Sequence, residues 1–453
     1  MRRTIEVSPR LTLNLGVRYE LYLGYPWTEV GNRGINFDLK TQALTQVGTN
    51  GVPRSGVNLD KNNFAPRVGL AYRLANKLVL RSAYGIYYAA PQFEISRNLA
   101  VNPPLAGAFT IANNQNNFAG ARKIEQGFDR TFSAAGAGLN AVDPNLRMPY
   151  VQQWNLSLQY QLPGNILWQT AYVGTKGVKL RDQLNVNQPT PGTGAVATRR
   201  PYPTYADIQY TAFRANSIFH SLQTTLDKRF SSGLGFLVTY TYGHAIDDAD
   251  VFGGGHQDYN NLRADRGNAP FDRRQMFVAS YNYALPLAVK SSGWAKHLLG
   301  GWQTNGILRL MTGTPFTVQM SASNLNGLGF QRPNQVAGCN PTLANPTITK
   351  WFDTSCFVAP AQFTFGNVGR NTLLGPGTKQ MDASLFRNIA LGGDGKRSLQ
   401  LRGEVFNVTN TPQFNNPNVN IGAVAAGTIN SAGSPPSFQR TSRQVQLAAK
   451  FLF

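Results

Sequence analysis

LTLNLGVRYEL, residues 11–21, decides the fold. Leu11, Leu13, Leu15, Val17, Tyr19 and Leu21 take every second position, and Thr12, Asn14, Gly16, Arg18 and Glu20 the positions between. A period of two puts the first set on one face of a β-strand and the second set on the other. About eleven residues at ~3.3 Å each, tilted by ~45°, rise about 26 Å, which matches an apolar membrane band of about 25 Å. Strands of a soluble sandwich average about five or six residues. Length therefore favours a strand that crosses a membrane.

The pattern recurs along the chain. Trp154, Leu156, Leu158 and Tyr160 alternate with Gln153, Asn155, Ser157 and Gln159, and Leu234, Phe236, Val238, Tyr240 and Tyr242 continue the theme. Twelve strands are expected, near 10–23, 63–74, 77–89, 151–162, 165–174, 217–230, 233–243, 274–285, 300–312, 379–389, 397–408 and 441–453. Residues 1–7 read as the stub of a strand before them, with Ser8-Pro9 as its turn. Short connections (75–76, 163–164, 231–232) and moderate ones (286–299, 390–396) alternate with long ones at 24–62, 90–150, 175–216, 244–273, 313–378 and 409–440. Outer-membrane barrels join their strands by short periplasmic turns and long outer loops. The expectation is an all-β antiparallel transmembrane barrel whose last strand runs inward. Tyr and Trp near strand ends, such as Tyr19, Tyr160, Trp168 and Trp302, suit interfacial girdles, with a carbohydrate platform as the sharper alternative.

Composition agrees. Of 453 residues only 14% are charged, 11% are aromatic and 45 are Gly, and no apolar run is long enough for a spanning helix. The formal net charge of +21 is spread along the chain, without the basic run of a nucleic-acid tail, so no nucleic-acid partner is expected. Contact with lipopolysaccharide phosphates explains it more simply than an anionic solute does. The two cysteines, Cys339 and Cys356, share one loop and suit a disulfide in an oxidising compartment; the alternative is two separate thiols. The first residues are basic but lack the apolar segment of a signal peptide.

Chemistry is weakly signalled. HAIDDADVFGGGHQD, from residue 244, holds His244, Asp247, Asp248, Asp250, His256 and Asp258, candidate ligands for a hard cation or zinc. Their spacing fits no EF-hand or zincin pattern. His244 with Asp247 or Asp248 also leaves open an outer-membrane hydrolase. With no G-x-S-x-G, H-E-x-x-H or P-loop, neither an enzyme nor a cofactor is expected. A passive porin would use the same strands.

In order along the chain, SPRLTLNLGVRYE, NNFAPRVGLAYRL, LRSAYGIYY, PYVQQWNLSLQYQLP, YVGTKG, FHSLQTTLDKRFSSGL, TYTYGHAIDD, FDRRQMFVASYNYALP, MDASLFRNI and LRGEVFNVTNTPQF resemble the C-terminal barrel portion of TonB-dependent outer-membrane receptors. The resemblance is nearest to the Oar-like group, whose members often carry a carboxypeptidase-regulatory-like domain. The closing RQVQLAAKFLF sets Val445, Leu447, Ala449, Phe451 and Phe453 on one face, similar to the signal read by the barrel assembly machinery. The resemblance implies a barrel of about 22 strands, with a signal peptide, a TonB-engaging motif, a plug and about ten strands ahead of residue 1. It also implies uptake of a scarce chelate, oligosaccharide or peptide, energised through TonB, with outer-membrane lipid and lipopolysaccharide as surroundings. A chain of this extent, with two unpaired edges in lipid, is expected to be unstable alone.

Overall fold

A computed structural model describes residues 2–22, 31–89, 97–106, 135–249, 255–287, 293–391, 397–433 and 442–453. Thirteen strands follow one another through a single antiparallel path, each paired to the next in the chain. They are β1 (Arg2–Ser8), β2 (Leu11–Tyr19), β3 (Phe64–Ala75), β4 (Leu78–Tyr88), β5 (Tyr150–Leu162), β6 (Ile166–Asn185) and β7 (Ile208–Ser231). The path continues through β8 (Leu234–Asp247), β9 (Gln275–Ala284), β10 (Trp302–Met311), β11 (Thr378–Leu391), β12 (Arg397–Phe406) and β13 (Gln444–Leu452). All twelve expected strands are present, and the stub at 1–7 is β1. Among the described residues β1 and β13 each pair on one side only, so the sheet is an open wall with two edges.

The register shows that the apolar face is continuous. Leu13 stands opposite Leu70, Leu15 opposite Val68 and Tyr19 opposite Phe64. Val68 then meets Tyr84, and Tyr84 meets Trp154. Further on, Leu156 faces Tyr172, Tyr172 faces Leu222 and Leu222 faces Tyr242. At the far edge Val405 meets Val445 and Leu399 meets Phe451. Opposed residues project to the same side, so the period of two in each strand adds up to one belt. These side chains are exposed or half-exposed (Leu15 41%, Leu156 50%), as a surface made for lipid must be. The other face carries Asn14, Arg67, Gln159, Gln223, Asn305, Asp382 and Glu404, the composition of a wet lumen.

Close packing on the belt uses glycine where an aromatic ring must lie flat. Trp154 sits opposite Gly174, and a Cβ there would fall 2.1 Å from its indole. Gly306 is covered in the same way by Tyr281, 2.7 Å from where a Cβ would stand.

One expectation is overturned. The segment 175–216 is not all loop, because β6 continues to Asn185 and β7 begins at Ile208. At 20 and 24 residues these strands climb, at ~3.3 Å per residue and ~45° tilt, about 20–30 Å above the apolar band. The period of two is broken there by register shifts at Phe213/Ala215 and Ala215/Ser217, with Lys179 at φ +55°. A bulge swaps the faces, so simple alternation stops while pairing goes on. The moderate connection at 286–299 holds a short helix, Gly293–Leu299. No described helix is long and apolar enough to cross a membrane.

The hydrophobic core lies outside the band. Short turns join the strands at one end, and the long loops at the other end fold on each other. Val47, Val57, Leu99, Val142, Leu146 and Met148 form one cluster, and Phe37, Leu139, Ala141 and Ile208 another. A third gathers Phe316, Val318, Phe352, Cys356, Phe357, Val368, Leu373 and Ile421 from two different loops. A disulfide ties Cys356, inside this cluster, to Cys339 packed against it, Cα atoms 5.4 Å apart.

Candidate functional site

Polar loops can bury backbone only if every amide finds a partner. Asn side chains, which carry both a donor and an acceptor, supply them here. Asn36 donates to the carbonyl of Val142 and accepts from its amide, both at 2.9 Å. Asn102 likewise bonds the backbone of Ile35 and Asn140. Asn268 and Asn371 exchange side-chain-to-carbonyl bonds of 2.8 and 2.7 Å. The abundant Asn of the loops thus acts as backbone replacement, holding the cap in one shape.

Beneath this cap lies a buried charge network built on the outer extensions of β6, β7 and β8. The His256 imidazole lies between two carboxylates, with Nε2 2.8 Å from Asp182 and Nδ1 3.0 Å from Asp265. Arg332 reaches Asp265 at 2.8 Å, both side chains almost wholly buried. Arg370 donates from Nε to the carbonyl of Asp265 at 2.7 Å and from Nη2 to the Asp247 carboxylate. Arg214, half exposed, closes the network on Asp182 at 3.3 Å. Three carboxylates thus face three buried cations, with a fourth on the rim. Burial by itself would lower the His256 pKa, but the hydrogen bonds and charges of Asp182 and Asp265 outweigh it and raise it to about 9. His256 is therefore an imidazolium at neutral pH, both nitrogens donating.

That settles where the candidate metal ligands lie. His256 has both nitrogens committed to carboxylates. His244 Nε2 is 2.9 Å from Asn268 Oδ1. Asp247 is paired to Arg370, and Asp248 accepts from the backbone and side chain of Asn216. Asp250 lies outside the described residues, and Asp258 accepts from the amide of Asn260. The fold spreads this set over separate polar contacts, and no group of three such side chains among the described residues could hold a metal ion. Sequence reasoning singled out His256 and Asp247 but missed their partners Asp182, Asp265, Arg332 and Arg370. Asp265 lies only 9 residues from His256, but Asp182 lies 74 residues away and Arg370 lies 123 residues from Asp247, in pairings that no local pattern announces.

Beside the network opens a cavity of about 310 Å³ lined by Asp182, Arg214, Asp248, His256, Leu262, Arg263 and Arg266. The single turn of 3₁₀-helix at Leu262–Asp265 shapes it. Arg263 on this turn and Arg266, the extended residue that caps it, are both exposed and both line the cavity. Asp265 between them turns into the buried network.

The sequence matches the outer membrane beta barrel domain family over residues 4–446. No curated protein matches it. Among solved structures it is similar to the outer membrane transporter YddB from Escherichia coli, with 10% identity, a TM-score of 0.52, and 98% of this chain and 43% of that one covered. It is also similar to the pyoverdine receptor FpvA from Pseudomonas aeruginosa PAO1, at 11% identity, TM-score 0.48, and coverage of 100% and 41%. The siderophore receptor PiuA from Acinetobacter baumannii follows, at 10%, 0.46, and 100% and 42%. The chain spans about two-fifths of the length of these proteins. A continuous lipid belt, short turns at one end, a folded loop cap at the other and the family match lead to one conclusion: the chain belongs to the outer membrane beta barrel domain family.

Proposed function

We propose that this wall belongs to a TonB-dependent receptor that binds a large, scarce solute with its outer loops and imports it with energy delivered through TonB. The observation that supports this reading most is the cap. Its loops own hydrophobic clusters, a disulfide and a buried ion network, an investment in a fixed outer surface that an open water channel does not need. The likeness of the wall to a transporter barrel adds support for the fold. On this reading residues 1–453 form the C-terminal part of a barrel domain of about 22 strands. The region N-terminal to it engages TonB, and lipopolysaccharide surrounds it. Val445, Leu447, Ala449, Phe451 and Phe453 dock the barrel assembly machinery during insertion. The solute is a chelate, an oligosaccharide or a peptide.

The test compares solute uptake by cells carrying the complete gene, with and without functional TonB. Uptake that persists without TonB, together with sugar permeation through vesicles containing the purified protein, would replace the receptor reading by a passive porin.

A further inference from the structure

The cavity beside the ion network has a charge that the fold does not need. Arg214 is already shared with Asp182, but Arg263 and Arg266 are exposed and make no side-chain hydrogen bond or ion pair among the described residues. The carboxylates on the same cavity are engaged, Asp182 by His256 and Arg214 and Asp248 by Asn216. Arg263 and Arg266 thus remain as two cations with no carboxylate partner among the described residues, on a cavity of about 310 Å³ that the paired Arg214 and His256 also line. Like charges on one small cavity repel, so placing both beside the 3₁₀ turn costs free energy unless an anion offsets it. Guanidinium forks match a planar or tetrahedral oxyanion and bind it through paired hydrogen bonds.

We propose that this cavity is an oxyanion-binding site, taking a carboxylate or phosphate group, with Arg263 and Arg266 as the principal contacts and Arg214 at its rim. Asp182 lies on the outer extension of β6, about 16 residues past the periplasmic turn; at ~3.3 Å per residue and ~45° tilt that is roughly 10 Å above the band. The site therefore faces the outer surface, where the group can come from an acidic solute or from a lipopolysaccharide phosphate. The solute branch rests on the receptor reading above; the binding chemistry does not.

The test measures citrate, inorganic pyrophosphate and lipid A vesicles against the full chain in detergent at low ionic strength, by calorimetry or vesicle flotation. The wild type binds at least one of these probes. R263Q/R266Q weakens that binding at least tenfold, and each single variant weakens it about threefold. Both arginines are exposed, so hydrogen-exchange protection of residues 255–274 checks that the fold is kept. Arg-dependent binding of citrate or pyrophosphate assigns the site to a soluble anion. Arg-dependent binding of lipid A alone assigns it to lipopolysaccharide. Binding unchanged in the double variant, or no binding of any probe by the wild type, overturns the proposal. TonB-independent uptake would remove the receptor reading and leave the site intact.

Discussion

Replacing His256 by Gln tests the buried network most directly. The imidazolium is the shared partner of Asp182 and Asp265, at 2.8 and 3.0 Å, with its side chain almost fully buried. Gln keeps one donor group but removes the charge, leaving two buried carboxylates to share fewer cations. The shift from 6.5 to about 9 corresponds to about 3 kcal/mol of coupling between protonation and folding of the cap. Breaking a buried ion pair from one side costs a similar ~3–5 kcal/mol. The cap should then open locally about a hundredfold more often. The pH dependence has a definite sign. Because the folded pKa is raised, this stabilisation is complete below about pH 6.5 and is lost as the pH rises through about 9. Hydrogen exchange of residues 255–274 and 313–377, corrected for intrinsic rates, should show wild-type protection falling between pH 7 and 9.5. H256Q should be poorly protected throughout and nearly flat over that range. Wild-type protection in H256Q, with an unchanged pH profile, would refute the network as a structural lock.

Other expectations follow from the same geometry. Reducing the Cys339–Cys356 bond, which closes a loop of 17 residues, should remove about 3 kcal/mol of local restraint; limited proteolysis would then cut between 339 and 356 while circular dichroism of the sheet is unchanged. L156R, on the lipid belt near mid-height, should cost about 2–4 kcal/mol, whereas N155R on the opposite face should cost under about 1 kcal/mol; unfolding in lipid vesicles separates them. G174A should displace the Trp154 indole, since its Cβ would fall 2.1 Å from the ring, and a changed tryptophan emission would report it. Deleting Phe453 should lower the yield of inserted protein in cells, read by heat-modifiable migration, and an unchanged yield would argue against a terminal assembly signal.

Much of this protein is legible in its sequence because membrane strands are specified locally. Each residue of β2 faces either lipid or water, and Leu11 through Tyr19 record that choice one position at a time. The same local rule gave the strand order, the direction of β13 and the side on which the long loops gather. It failed at the outer halves of β6 and β7, where the bulges around Ala215 swap faces while the ladder continues. Above the membrane there is no single apolar solvent to impose a period.

The candidate site was legible only in fragments. His256 and Asp247 stood out as residue types, and their neighbourhood suggested metal ligands. Only the tertiary structure pairs His256 with Asp182 and Asp265, and Asp247 with Arg370. The physical reason is range. The sequence by itself determined the wall, because the solvent on each side acts on one residue at a time. The cap and its charge network depend on contacts between segments up to 134 residues apart, and a charge is buried only where its partner arrives, which the folded loops alone decide.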